Sequence, residues 1–268
     1  SDISAWASHY IETLSTGYGY AFAVACGSLV ISFLIYFLGR KAYSHVITDK
    51  NTAATGSKQA ETGPELSPEQ TRQRVVALFL VFAVVIFFWM VFHQNGATLT
   101  EFAKSCTAPE ATGWTRVGFN LLGLTMIAAA VWCIFGMFKA KGTLRIICGI
   151  AFVALAAGVA FYIYPTTPDV ISGIQPQQYQ QFNPFYVVAL TPVSLALFGW
   201  LARKKKEPSA PRKIGYGMIM AAVAYGVMLI GSMSIVGTQA SASPNWLIST
   251  YLLLTFAELL LSPMGISF

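Results

Sequence analysis

Glu258 is the one acidic residue inside the long apolar runs of this sequence, in Trp246-Leu-Ile-Ser-Thr-Tyr-Leu-Leu-Leu-Thr-Phe-Ala-Glu258-Leu-Leu-Leu-Ser262-Pro263-Met264-Gly265. A carboxylate near a bilayer centre costs about 2.5 to 3.5 kcal/mol on insertion scales, so a structural carboxylate without a task is the weaker reading of this position. Its chemistry would be to hold a cation or a proton. Two other runs carry polar groups that lipid contact would not tolerate. One is Phe88-Trp89-Met-Val-Phe-His93-Gln94-Asn95-Gly96, and the other is Gln180-Gln181-Phe182-Asn183-Pro184-Phe185-Tyr186. All three are expected to face a protein interior or a wet cavity. His93 reads either as a proton carrier or as a hydrogen-bonded packing residue. Asn183 reads either as a solute ligand or as a cap at a helix start before Pro184. Trp89 and Trp246 are ligand contacts, packing residues or interfacial aromatics; Pro184, Pro192 and Pro263 are sites of helix bending.

The elements that must position these groups are membrane helices. Hydrophobic residues make up 55% of the 268 positions and charged residues 10%, against about 25% charged in a soluble domain. Mean hydropathy is +0.59. Seven apolar runs are long enough to cross a hydrocarbon core of about 30 Å. They lie at approximately 20–38, 75–95, 117–138, 144–164, 183–202, 214–236 and 246–268. The fold class is therefore all-α and polytopic. Residues 1–19, with Trp6, Tyr10 and Tyr18, read as an interfacial helix leading into the first span. A helix is predicted to start at Ser67-Pro-Glu69, and the second span reads either as 75–95 or as a longer helix from about Thr71 to Ala103.

Charge orients the bundle. Of 17 Lys and Arg residues, all but Lys104 and Arg116 fall on one side if the first span runs from outside to inside. Excess Lys and Arg in short loops marks the cytoplasmic face, which accounts for the net charge of +6 without a nucleic-acid partner. Cys26, Cys133 and Cys148 lie in apolar spans and Cys106 stands alone, so neither a zinc site nor a disulfide framework is indicated, and no metal or cofactor is expected. No secretory signal pattern is visible at the start. The chain reads as a piece of a longer protein, divided into a lead-in and one helix (1–41), a polar cytoplasmic linker (42–73) and an incomplete helical bundle (74–268). Within the last lies a hairpin of two apolar helices, 117–164.

Stretches matching four helices resemble the proton-coupled oligopeptide transporters, a branch of the major facilitator superfamily. Gly17-Tyr18-Gly19-Tyr20 with Leu38-Gly39-Arg40-Lys41 is similar to that family's sixth helix, and Gln181-Phe182-Asn183-Pro184 to the start of its eighth. Ala257-Glu258-Leu-Leu-Leu-Ser262-Pro263-Met264-Gly265 is similar to its tenth, and Phe88-Trp89 through Leu99 to its seventh. The resemblance implies a partial major facilitator fold, the last helix of one six-helix half and the front of the other, completed by the remaining helices of the same transporter. It further implies proton-coupled uptake of di- and tripeptides by alternating access, in the plasma (inner) membrane, with the lipid bilayer as surroundings. Glu258 would receive the peptide amino terminus, Asn183 would bond the peptide, and Trp89 and Ser262 would line the substrate cavity. His93 and Glu258 would be the proton-coupling candidates, and Pro263 and Gly265 a gating hinge. Two departures stand out. His93 occupies a position that is usually acidic, and the hairpin 117–164 separates helices that normally adjoin. A transporter of another solute on the same fold is the alternative. A membrane enzyme is disfavoured by the lack of His-x-x-x-His, Gly-x-Ser-x-Gly or Cys/His patterns.

Overall fold

The computed structural model describes residues 2–39, 68–238 and 240–261. It falls into two units, Ser1–Arg72 and Gln73–Phe268. Among the described residues, seven helices are long and apolar enough to cross a membrane.

In the first unit, α1 (Asp2–Leu38) is one uninterrupted helix of 37 residues, about 55 Å at 1.5 Å per residue. The interfacial lead-in expected over 1–19 is thus not a separate element. No proline interrupts this stretch, so nothing removes a backbone donor between lead-in and span. Trp6 and Tyr10 stack one turn apart, with ring centroids 5.4 Å apart. Most of the linker 42–73 lies outside the described residues, as do Arg40 and Lys41.

The second unit is a helical bundle. α2 (Pro68–Phe92) begins at a proline, whose missing N–H is one of the donors a helix start leaves unpaired anyway. It does not continue to Ala103: a tight turn, His93–Asn95, ends it, and α3 (Thr98–Cys106) restarts beyond Gly96. α4 (Leu121–Lys139) and α5 (Thr143–Gly158) form the hairpin. Its start is later than 117, because Gly113–Phe119 is a tight helical stretch outside the span and Asn120 caps α4 by accepting from Gly123 N–H at 3.1 Å. α5 is prolonged by a wide turn, Val159–Ile163, and a last turn, Tyr164–Thr166. Then follow α6 (Phe182–Arg203), α7 (Ala210–Met233) and α8 (Pro244–Leu261).

Three connections gather at one end. The strand β1 (Glu110–Thr112) pairs antiparallel with β2 (Val170–Ser172). The Ala242 N–H donates to the Cys106 carbonyl at 2.7 Å, and the Ala108 N–H to the Ala242 carbonyl at 2.9 Å. Buried Arg116 bonds the Asp169 carboxylate and the Tyr164 carbonyl, which explains how a cation next to a span is tolerated. These contacts require residues 107–120, 164–181 and 234–243 to share a side, as alternation of the spans demands. The α4–α5 and α6–α7 connections carry Lys139, Lys141, Arg145 and Arg203–Lys206 at the other ends of those helices.

The core centres on α8, the most buried of the spans. Phe88, Phe92, Leu99, Tyr179, Phe182, Leu247, Tyr251 and Leu254 are all buried around it. α7 approaches α8 through two glycines. A Cβ on Gly217 would lie 3.1 Å from the Ala257 carbonyl, and one on Gly231 2.8 Å from the Trp246 ring. Small residues at a membrane helix interface let backbones approach where no hydrophobic force between helices is available. On the other flank, the Trp132 indole of α4 donates to the Val188 carbonyl of α6 at 2.9 Å.

Candidate functional site

Tyr251, Thr255 and Glu258 follow the i, i+4, i+7 spacing that places residues on one face of a helix, and α8 is regular through all three. Each polar group on this stripe meets a different partner. The hydroxyl of Tyr251, a residue 1% exposed, donates to the Asn95 carbonyl at 3.0 Å, where α2 has just ended. That carbonyl also accepts from the Thr100 hydroxyl at 3.3 Å, and the Gln180 amide donates to the Thr100 hydroxyl at 3.1 Å. Tyr225 of α7 donates to the Val91 carbonyl at 2.8 Å. The broken end of α2 is therefore held by hydroxyls from α7 and α8, which answers the need of carbonyl groups at membrane depth for a protein partner.

Fully buried Thr255 lies 2.8 Å from Asn183 Oδ1 and 2.8 Å from the Tyr251 carbonyl. A hydroxyl has one proton. Both contacts are made together when Thr255 donates to the Tyr251 carbonyl and the Asn183 amide is turned to donate to the Thr255 oxygen. Asn183 is thus not the helix cap that was one reading of it: Gln181 occupies the cap position of α6, and the Asn183 side chain crosses to α8.

Glu258 comes three residues after Thr255 and is half-buried, and its Oε2 is a buried oxygen without a hydrogen-bond partner among the described residues. The neighbouring Ala257 is completely buried against α7. An unpaired carboxylate oxygen at membrane depth has two ways out of its desolvation cost, a cationic ligand or a proton.

The remaining expected site residues are distributed differently. Trp89 is half-buried, edge-on to Phe88 at 5.7 Å and to Phe92 at 5.4 Å. His93 is exposed and tilted against Trp89 at 5.6 Å. His93 adjoins the turn whose Asn95 carbonyl meets Tyr251, and Tyr251 is seven residues, about 10 Å, along α8 from Glu258. The structure accordingly joins Asn183 to the α8 stripe and leaves His93 near its opposite end. Trp246 packs on Gly231, a packing role. Ser262, Pro263 and Gly265 lie outside the described residues. Thr255, Tyr251, Tyr225 and Thr100 were not anticipated, although the 251, 255, 258 periodicity was present in the sequence.

Seven membrane-capable helices among the described residues, packed in this bundle, define a polytopic α-helical membrane protein. The POT family profile matches residues 144–268. That match takes in just under half of the chain and makes it similar to the POT family. It is 38% identical over 96 residues to the uncharacterized transporter YclF of Bacillus subtilis, an alignment covering 35% of this chain and 18% of that protein. It is 36% identical over 90 residues to the peptide transporter YePEPT of Yersinia enterocolitica, covering 33% and 18%. Over 269 residues it is 23% identical to dipeptide and tripeptide permease B of Salmonella typhimurium, covering 94% of this chain and 47% of the permease. The chain thus spans about half the length, or less, of the curated relatives it matches. No solved structure matches it.

Proposed function

We propose that the full-length protein is a transporter, not an enzyme, and takes up di- and tripeptides together with protons by alternating access. Relatives named as peptide transporter and as dipeptide and tripeptide permease support the substrate class. The observation that carries the reading is the buried, unpartnered Oε2 of Glu258 on the stripe that also holds Asn183 through Thr255. A dipeptide presents an ammonium and a carboxylate joined by an amide. Glu258 compensates the ammonium, and the Asn183 amide, oriented by Thr255, bonds the peptide group. By the family resemblance, Trp89 and Ser262 are assigned to substrate binding, and Pro263 with Gly265 to the bend that rocking of the two halves needs. His93, neutral or cationic where an acidic residue is usual, joins Glu258 as the second proton-coupling group. The peptide carboxylate requires a cation from the rest of the transporter, since no Lys or Arg occurs at depth on α6, α7 or α8.

In this arrangement the chain contributes the last helix of one six-helix half (1–41), a cytoplasmic linker (42–73) and the front of the second half (74–268). The hairpin 117–164 stands at its periphery, in the inner membrane. Inward movement of one positive charge is worth about 2.3 kcal/mol per 100 mV, enough to drive uptake against a gradient. The experiment is uptake of labelled dialanine into vesicles carrying the full-length protein, with an imposed proton gradient and after its collapse by an uncoupler. Gradient-dependent accumulation is expected. Accumulation that ignores the gradient removes proton coupling, and no dialanine entry by folded protein removes the peptide reading.

A further inference from the structure

Between α4 and α6, at the end where both helices terminate in basic residues, lies a half-open cavity of about 370 Å³. Its wall is Phe135, Phe138, Leu195, Ala196 and Gly199, and its rim is Lys139 and Arg203. Lys139 is the last residue of α4 and Arg203 the last of α6, so both cations stand where the helices leave the hydrocarbon. Trp200, one residue beyond Gly199 and half exposed, lies at the depth at which indole rings settle in the headgroup layer. No acidic side chain lines the cavity. The ion pairs formed among the described residues are Arg116 with Asp169 and Lys213 with Glu207, which leaves Lys139 and Arg203 without a carboxylate.

The wall continues away from the rim. Leu195 is eight residues from Arg203, about 12 Å along α6, and the space beside Gly199 is open, with nothing within 4 Å of where a Cβ would stand. A slot with an apolar wall toward the membrane interior and two unneutralised cations at the headgroup level matches a molecule with an acyl chain and an anionic head. Both cations also sit beside the exposed carbonyls of a helix C-terminus, which favours Lys and Arg there irrespective of any ligand. That role explains the charges but not the apolar slot between them.

We propose that this cavity is a binding site for one anionic phospholipid, its phosphate held by Lys139 and Arg203 and an acyl chain laid along Leu195, Ala196 and Gly199. The site is built jointly by the hairpin and by α6, the helix that carries Asn183. It gives the hairpin a task, since without α4 the slot has no second wall. The inference does not depend on the transported solute.

The test is lipid retention by the full-length protein in detergent, read by native mass spectrometry during titration with dioleoyl phosphatidylglycerol or dioleoyl phosphatidylcholine. Wild type is expected to hold one phosphatidylglycerol in preference to phosphatidylcholine. Lys139→Gln with Arg203→Gln should weaken phosphatidylglycerol roughly thirtyfold, at about one surface charge's contribution for each residue. The control pair Lys141→Gln with Lys205→Gln removes the same charge outside the cavity and should change retention less than threefold. A second variant keeps the cations: Gly199→Leu fills the slot, fits the open space and should also abolish the preferential binding. Equal losses in the two charge pairs would mean a diffuse surface effect and overturn the site. Displacement of the lipid by millimolar inorganic phosphate, or retention unaffected by Gly199→Leu, would show that no acyl chain is held and overturn it as well.

Discussion

The Trp132 indole on α4 donates to the Val188 carbonyl on α6, four residues before Pro192. In an uninterrupted helix that carbonyl accepts from the N–H of residue 192, and proline has none. The hairpin therefore supplies, from outside, the donor that α6 lacks at its internal proline, which is how a proline within a membrane helix is accommodated.

Trp132→Phe is expected to lower stability by about 1 kcal/mol, the usual net contribution of one hydrogen bond. In a Pro192→Ala background, residue 192 regains its N–H and the same Trp132→Phe change should cost less than half as much. Thermal unfolding of the four proteins in one detergent measures the cycle. Additive effects would mean that the indole and the proline act independently.

Glu258→Gln keeps the shape of the side chain but loses the charge facing a peptide ammonium, a charge-assisted bond that contributes about 1.5 to 3 kcal/mol. Dialanine affinity should fall roughly ten- to more than a hundredfold, at 1.4 kcal/mol per tenfold. N-acetyl-dialanine, without an ammonium, should differ much less between the two proteins. Competition binding with both ligands decides it, and equal effects on both would remove Glu258 as the amine site.

Thr255 holds Asn183, so their contributions should not add. Thr255→Val and Asn183→Ala are each expected to weaken dialanine binding, with a coupling of about 0.6 to 1.7 kcal/mol in the double mutant, the range of hydrogen bonds between membrane helices. If Thr255→Val leaves affinity unchanged while Asn183→Ala does not, Asn183 is oriented by something else.

In a background with the natural cysteines replaced, Lys205→Cys should react with impermeant thiol reagents only from the cytoplasmic side and Ala240→Cys only from the outside. Both positions are exposed. Labelling on the opposite faces would invert the charge-based orientation.

Removing the hairpin 117–164 as a unit should leave part of the dialanine uptake if the protein still inserts, and more of it when Pro192→Ala restores the α6 donor. Complete loss at normal membrane expression in both backgrounds would place the hairpin within the solute path.

Glu258 was legible from the sequence alone because its significance is a property of one residue in one apolar run: the desolvation cost of a carboxylate does not depend on which helix is its neighbour. The seven spans were legible for a similar reason, since the length of an apolar run is a one-dimensional quantity. The break of α2 at His93–Asn95 was not, because whether the segment after Phe92 stays helical is decided by hydroxyls that arrive from Tyr225 and Tyr251, more than 130 residues away. Nor was the role of Asn183. In the sequence it stands before Pro184 as a helix cap would, and only the packing of α6 on α8 brings Thr255 within 2.8 Å and turns the amide across the interface. Pro192 announced a missing donor, but not the Trp132 indole that replaces it. Burial cost belongs to single residues and is written along the chain, whereas hydrogen-bond partners at membrane depth are chosen between helices and exist only once the bundle has packed.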